Sequence, residues 1–236
     1  MYKIIIIILT ICFLPPAYAD NINNTKKLEE VIEKFILENP EILIKSLEQF
    51  TQSQKDKEKE TIENSLNDFY DKKLYENYPS IGNSSNDLIL IEFIDYNCGY
   101  CKKTLPTITK LIKNFEKIKI VFIDFPILTE MSELSARASL AANNQEAYFK
   151  FHSILLKNNK SINEDYLINI ARSLELDIEK FKKDMFSSNI EEQIKRNIAL
   201  ANKLKIRGTP TFIVNKQILP GAYDYDKLKS IILNKT

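Results

Sequence analysis

The sequence predicts an α/β domain over residues 79–236, preceded by a separate N-terminal helical segment. Three observations predict it. An apolar run, Leu88 to Ile94, leads into helical periodicity at Leu105, Ile108, Leu111, Ile112 and Phe115, and then into a second apolar run, Ile118 to Ile123. Strand, helix and strand at this length make a βαβ unit, whose two strands run parallel. Residues 131–204 then carry helical periodicity alone, and Thr209 to Leu219 returns to a strand pattern.

Taken from the N-terminus, residues 1–19 read as a secretory signal cleaved after Ala19. Lys3 precedes the apolar run Ile4 to Leu14, and Ala17-Tyr18-Ala19 stands before Asp20. A retained anchor is the alternative, but the apolar core falls short of the roughly 20 residues that span a bilayer. Removing residues 1–19 takes away Lys3 only, so a net charge of +1 becomes 1 − 1 = 0. That balance offers nothing to attract nucleic acid or an anionic membrane. Signal and localisation together predict a periplasmic protein.

Residues 20–78 form the helical segment. Leu28, Val31, Ile32, Phe35 and Ile36 mark one short amphipathic helix ending near Asn39, and Pro40 suits the first turn of the next. Leu43, Leu47 and Phe50 continue its stripe. The charged stretch Gln54 to Glu60 interrupts it, and Ile62, Leu66, Phe69 and Leu74 resume it. So thin a stripe on so long a helix predicts homo-oligomerisation through residues 24–78, or else a helix lying along the following domain. Tyr78 to Asp87, with Pro79, Gly82 and a Ser/Asn cluster, reads as linker and turn.

Between the first strand and its helix stands Cys98-Gly99-Tyr100-Cys101. This places Cys98 at a helix N-terminus, where unpaired N–H groups and the helix dipole favour negative charge. The thiolate is the attacking form in disulfide exchange, so Cys98 is the expected exposed nucleophile and Cys101 the covered resolving thiol. A zinc half-site and a purely structural disulfide share this spacing. Zinc needs about four ligands, whereas the whole chain has three cysteines and one histidine, with Cys12 inside the signal. No metal and no cofactor is therefore expected.

In the helical block, Ser161-Ile162-Asn163-Glu164 resembles a capping box, and His152 falls on a helix as a core or surface residue. Pro210 heads an apolar strand, a place that suits an edge position or a cis bond. Pro220-Gly221 turns the chain into a last helix with Leu228, Ile231 and Ile232.

Together these pieces resemble the DsbA-like branch of the thioredoxin superfamily, in particular its ScsC-type members. The resemblance rests on Asp95-Tyr96-Asn97-Cys98-Gly99-Tyr100-Cys101-Lys102, on Phe125-Pro126-Ile127-Leu128, on Ala141-Ala142-Asn143 and Phe151-His152, and on Pro106. It continues through Arg207-Gly208-Thr209-Pro210-Thr211-Phe212 and Pro220 to Asp226. It implies a thioredoxin fold with a helical insertion at about residues 127–204. The implied activity is that of a thiol–disulfide oxidoreductase or isomerase working through a redox-active Cys98–Cys101 disulfide.

By the same resemblance Thr209-Pro210 is a cis-proline loop facing the cysteines, and Tyr100, Thr209 and Pro210 contact the client chain. Glu92 stands where the family carries a buried acid, and its expected part is to relay the proton of Cys101 through water. The implied partners are unfolded or misfolded exported proteins and a membrane redox partner, either a DsbB-like oxidant or a DsbD-like reductant. Tyr100 replaces the histidine of strong oxidants. The expected couple is therefore less oxidising than the roughly −120 mV of DsbA and above the roughly −270 mV of thioredoxin. A copper-handling protein, with the two thiolates holding Cu(I), is the alternative from another class.

Overall fold

The computed structural model describes residues 17–83, 88–158 and 161–233, with side chains from residue 25 onward. The apolar run Ile4 to Leu14, expected to be the core of a signal, lies outside the described residues. Two helices open the chain, α1 (Ala17–Glu38) and α2 (Pro40–Asp71), parted at Asn39 as the proline demands. The chain divides into two compact units, residues 1–57 and 58–236.

In the first unit the apolar residues of the helices stand exposed, among them Val31, Phe35, Leu47 and Phe50. The end of α2 behaves differently. Leu66 and Phe69, with Tyr75 from the short 3-10 turn Leu74–Asn77, are buried against Ile89, Ile91 and Phe93 of the sheet. A segment expected to be separate through residue 78 thus splits at residue 57. Its charged stretch divides one helix into an exposed half and a half that is part of the catalytic core.

Among the described residues the sheet has five strands in the order β1-β3-β2-β4-β5: β1 (Ser80–Gly82), β2 (Leu88–Ile94), β3 (Ile118–Asp124), β4 (Thr211–Val214) and β5 (Gln217–Pro220). Strands β2 and β3 run parallel around α3 (Gly99–Asn114), and every other pairing is antiparallel. Strand β1 corrects the expectation of a linker. Only Ile81 in it is apolar, so local pattern hides it; its backbone pairs with the free edge of β3, Ser80 opposite Val121.

Because side chains alternate along a strand, β2 serves two cores. Leu88, Leu90 and Ile94 face α3 and the helical insertion, whereas Ile89, Ile91 and Phe93 face the end of α2. The same alternation puts Glu92 on the α3 side.

The insertion comprises α4 (Glu130–Asn143), α5 (Tyr148–Lys157), α6 (Glu164–Ser173), α7 (Ile178–Met185) and α8 (Ser188–Lys203), and α9 (Tyr225–Leu233) closes the chain. Thr129 and Ser132 form a capping box on α4. Helix α6 is capped by Asn163, which accepts from the Tyr166 N–H, and not by Ser161 as expected. Asn takes the cap two positions later, leaving Glu164 in the first turn, where an acid meets the positive end of the dipole. No described helix is long and apolar enough to cross a membrane.

Candidate active site

The loop between β2 and α3 is built before the cysteines arrive. The buried Asp95 carboxylate accepts backbone hydrogen bonds from Asn97 (2.8 Å), Ile127 (2.9 Å) and Leu128 (3.1 Å). The Asn97 amide donates to Thr129 Oγ1 (3.0 Å) and Ser132 Oγ (3.1 Å), the two side chains that cap α4. Asp95 and Asn97 therefore tie the active-site turn to the start of the insertion. Tyr96 enters a second buried network. Its hydroxyl lies 3.2 Å from His152 Nδ1 and 3.4 Å from the Tyr148 hydroxyl, which donates to Asp124 (3.1 Å). Burial holds His152 neutral, down to about 3; burial chiefly, with the Asp95 charge and against the hydrogen bonds from Tyr148 and Tyr96, raises Asp124 to about 7. His152 is a core residue packed against Phe122, Tyr148 and Phe149, which decides between the core and surface roles its helix left open.

Cys98 occupies the N-cap of α3 and Cys101 lies within its first turn; both are free thiols. Cys98 is less open than expected, with 7% of its surface exposed against 0% for Cys101. The Cys98 thiol donates to the Thr209 carbonyl at 3.1 Å.

The thiol of Cys98 is lowered to about 5. The neighbouring Cys101 thiol is the main cause, partial burial opposes it, and the Thr209 side chain and the N–H groups of Cys101 and Tyr100 lower it further. The buried Thr209 hydroxyl itself makes no hydrogen bond among the described residues. Cys101 moves the other way, far above the ordinary thiol range, through burial and through its own role as donor to Cys98. One helix turn thus holds an acidic thiol and a stubborn one.

The Thr209–Pro210 bond is cis, and Thr209 faces Cys98 across 111 positions of sequence. The Gly221 N–H donates to the Pro210 carbonyl (2.8 Å) and fixes the loop from β5. Tyr100 is exposed at 64% beside the cysteines, with the Lys103 ammonium 5.2 Å from its ring centre.

Glu92 is fully buried beneath α3, and burial raises its carboxyl to about 8. Its Oε1 lies 2.7 Å from Thr104 Oγ1, and its Oε2 has no protein partner. Thr104 Oγ1 is also 2.7 Å from the Cys101 carbonyl. A hydroxyl has one hydrogen, so Thr104 serves one acceptor at a time. With Glu92 protonated, the carboxyl donates to Thr104 and Thr104 donates to Cys101. With Glu92 ionised, Thr104 turns to the carboxylate.

Thr104, Asp95 and Asn97 were not singled out individually as site residues from the sequence. The Asp-x-Asn spacing ahead of a helix is a usable turn signal for the latter two. Thr104 carries none, because a threonine inside a helix is ordinary.

A five-stranded sheet of this order, with a dithiol heading the first crossover helix and a cis-proline opposite, defines a thioredoxin-fold disulfide-exchange protein. Residues 89–233 match the DSBA-like thioredoxin domain, and the chain belongs to that family. It is accordingly a thiol–disulfide oxidoreductase. It is 29% identical over 171 residues to the probable disulfide bond formation protein D of Bacillus anthracis, a match covering 67% of this chain and 78% of that one. It is similar to a thioredoxin-like oxidoreductase from Silicibacter pomeroyi DSS-3, with 34% identity and a TM-score of 0.65 over 69% of this chain and 95% of that one. A linker-deletion mutant of ScsC from Proteus mirabilis aligns over 95% of this chain and 99% of its own, with 25% identity and a TM-score of 0.67.

Proposed function

We propose that the enzyme forms or reshuffles disulfides in exported proteins through the Cys98–Cys101 pair. In the oxidising direction a client thiolate attacks Cys98 Sγ, the Cys98–Cys101 bond breaks, and Cys101 leaves as a thiolate. Protonated Glu92 supplies its proton through water. A second client thiolate attacks the client sulfur of the mixed disulfide and expels Cys98 as its thiolate. The client has then lost two electrons and the enzyme has gained them. A membrane oxidant of the DsbB type removes them; run in reverse with a DsbD-type reductant, the same steps reduce or isomerise.

The observation that supports this reading best is the seat of Cys98 at the N-cap of α3, against the Thr209 carbonyl at 3.1 Å, with its thiol lowered to about 5. A thiolate so stabilised is a good leaving group in the second step. Tyr100, Thr209 and Pro210 form the client contact. The Thr209 carbonyl, occupied by the Cys98 thiol in the dithiol, becomes free for a client backbone N–H once that proton is gone. Oligomerisation belongs to the exposed apolar residues of the first unit, and light scattering of chains starting at residue 20 and at residue 58 tests it: only the longer chain is expected to associate.

The test of the chemistry is trapping. Cys101→Ser should accumulate mixed disulfides with client proteins through Cys98, and Cys98→Ser should accumulate none. Equal trapping by both variants sinks the assignment of roles.

A further inference from the structure

The face of α3 that leads away from Cys98 is open. Between α3 and the end of α5 lies a groove of about 520 Å³, floored by Leu105, Pro106 and Leu156 and rimmed by Lys102, Lys110, Lys113 and Lys157. Positions 98, 102, 105, 109 and 113 recur at helical spacing, so the groove shares a face with the reactive thiol. At 1.5 Å per residue, Lys113 lies roughly 22 Å along the axis from Cys98.

The charge here departs from the rest of the chain. Bases and acids are nearly matched overall, 33 against 32, yet α3 and α5 together carry six lysines and neither Asp nor Glu. Elsewhere lysines find carboxylates, as Lys34 does with Glu38, Lys59 with Glu63 and Lys195 with Glu191. Among the described residues none of the four rim lysines makes an ion pair. Two of them are nonetheless held in place. The Lys102 ammonium donates to the Asn158 carbonyl (2.6 Å), and the Lys110 ammonium lies 4.0 Å from the Tyr225 ring centre.

Four uncompensated like charges around an apolar floor are relieved by an anionic ligand that carries an apolar side chain. We propose that this groove is a second docking site for the client: an extended acidic segment with one bulky apolar residue, on one side of the cysteine that reacts at Cys98. The proposal rests on the disulfide-exchange reading above and names the class of client which that site prefers. An extended chain rises about 3.3 Å per residue, so the groove is reached within about seven residues of the reacting cysteine. The concavity and its alignment with Cys98 favour a polypeptide over a lipid surface, which meets flat or convex faces.

The test uses the oxidised full-length protein and two synthetic peptides, each with one cysteine and one leucine. One carries Asp and Glu between the third and seventh positions from the cysteine, and the other carries Lys and Arg there. The rate of reduction of the Cys98–Cys101 disulfide is followed at low and high salt. The acidic peptide should react about tenfold faster at low salt, with an advantage that shrinks as salt rises. The Lys113→Glu/Lys157→Glu protein should lose that preference, and Lys113→Gln/Lys157→Gln should show a weaker one should the reversed pair fold poorly.

Equal rates for the two peptides, or a preference that survives in both double variants, overturns the proposal. So does a charge-dependent loss of binding to phosphatidylglycerol vesicles with peptide rates untouched, which assigns the rim to a membrane. Glutathione separates the two levels of inference. A protein that exchanges with glutathione but ignores peptide charge refutes the groove alone, whereas one that exchanges with no thiol refutes the reading on which it rests.

Discussion

Replacing Thr104 with Val keeps the side chain's shape and removes its hydroxyl, which isolates the hydrogen bond to Glu92. Both residues are buried, at 1% and 0% exposure, and the contact is short at 2.7 Å. A hydrogen bond contributes about 1.5–3 kcal/mol to an ionised group and about 0.5–1.5 kcal/mol to a neutral one, so the contact favours the carboxylate by about 1–1.5 kcal/mol. At 1.36 kcal/mol per pH unit this amounts to about one unit. Its loss therefore raises the carboxyl further, from about 8 to about 9.

The carboxyl carbon of 13C-labelled Glu92, followed by NMR across the pH range in oxidised Thr104→Val, reads this midpoint directly. Thr104→Ser should return it close to the parent value, which separates the hydroxyl's effect from a packing defect. The pH profile for resolution of a mixed disulfide by Cys101 should move upward with it, because a smaller share of Glu92 is then ionised at a given pH. An unchanged midpoint in Thr104→Val refutes the assignment of Thr104 as the partner that sets the acidity of Glu92.

Three other outcomes are expected. With Cys98 a thiolate above about pH 5 and Cys101 still a thiol, reduction takes up two electrons and one proton. The potential, read from equilibration with glutathione and referred to the hydrogen scale, should therefore fall by about 30 mV per pH unit between pH 6 and 9, and a slope near 59 mV would contradict the split thiols. The Glu92 carboxyl is raised in the folded protein from 4.5 to about 8, so its contribution is full at low pH and is lost as pH rises through that window. Urea unfolding of the oxidised protein should accordingly show Glu92→Gln gaining on the parent from pH 5 to pH 8.5; a constant difference argues against a buried, neutral acid. Phe69→Ala should destabilise the catalytic unit by about 3–5 kcal/mol, since Phe69 is 2% exposed in the second core. A loss below 1 kcal/mol, measured on a chain starting at residue 58, would mean that the end of α2 is dispensable.

Much of the site was legible before any coordinates, and for identifiable reasons. The Cys98–Cys101 spacing, its strand on one side and its helical stripe on the other are local signals. Glu92 was readable as an acid in an apolar strand, and its raised carboxyl is what burial imposes. The helical insertion was visible as unbroken periodicity, apart from the cap of α6, where Asn163 outcompeted Ser161. Strand β1 was hidden, because a three-residue edge strand is made by pairing with β3 and not by its own pattern.

What the sequence alone determined is therefore whatever repeats or changes over a few residues: the helices, the strands other than β1, and the seat of Cys98 at a helix start. Only the tertiary structure decided what those elements meet. It brought Thr209 to the sulfur of Cys98 across 111 positions, set Thr104 between Glu92 and Cys101, and split α2 between an exposed half and a core half. It also left four lysines around one groove without a carboxylate. Periodicity is a property of neighbours along the chain, whereas a hydrogen bond or a missing counter-charge depends on which distant segments packing brings within about 3 Å of one another.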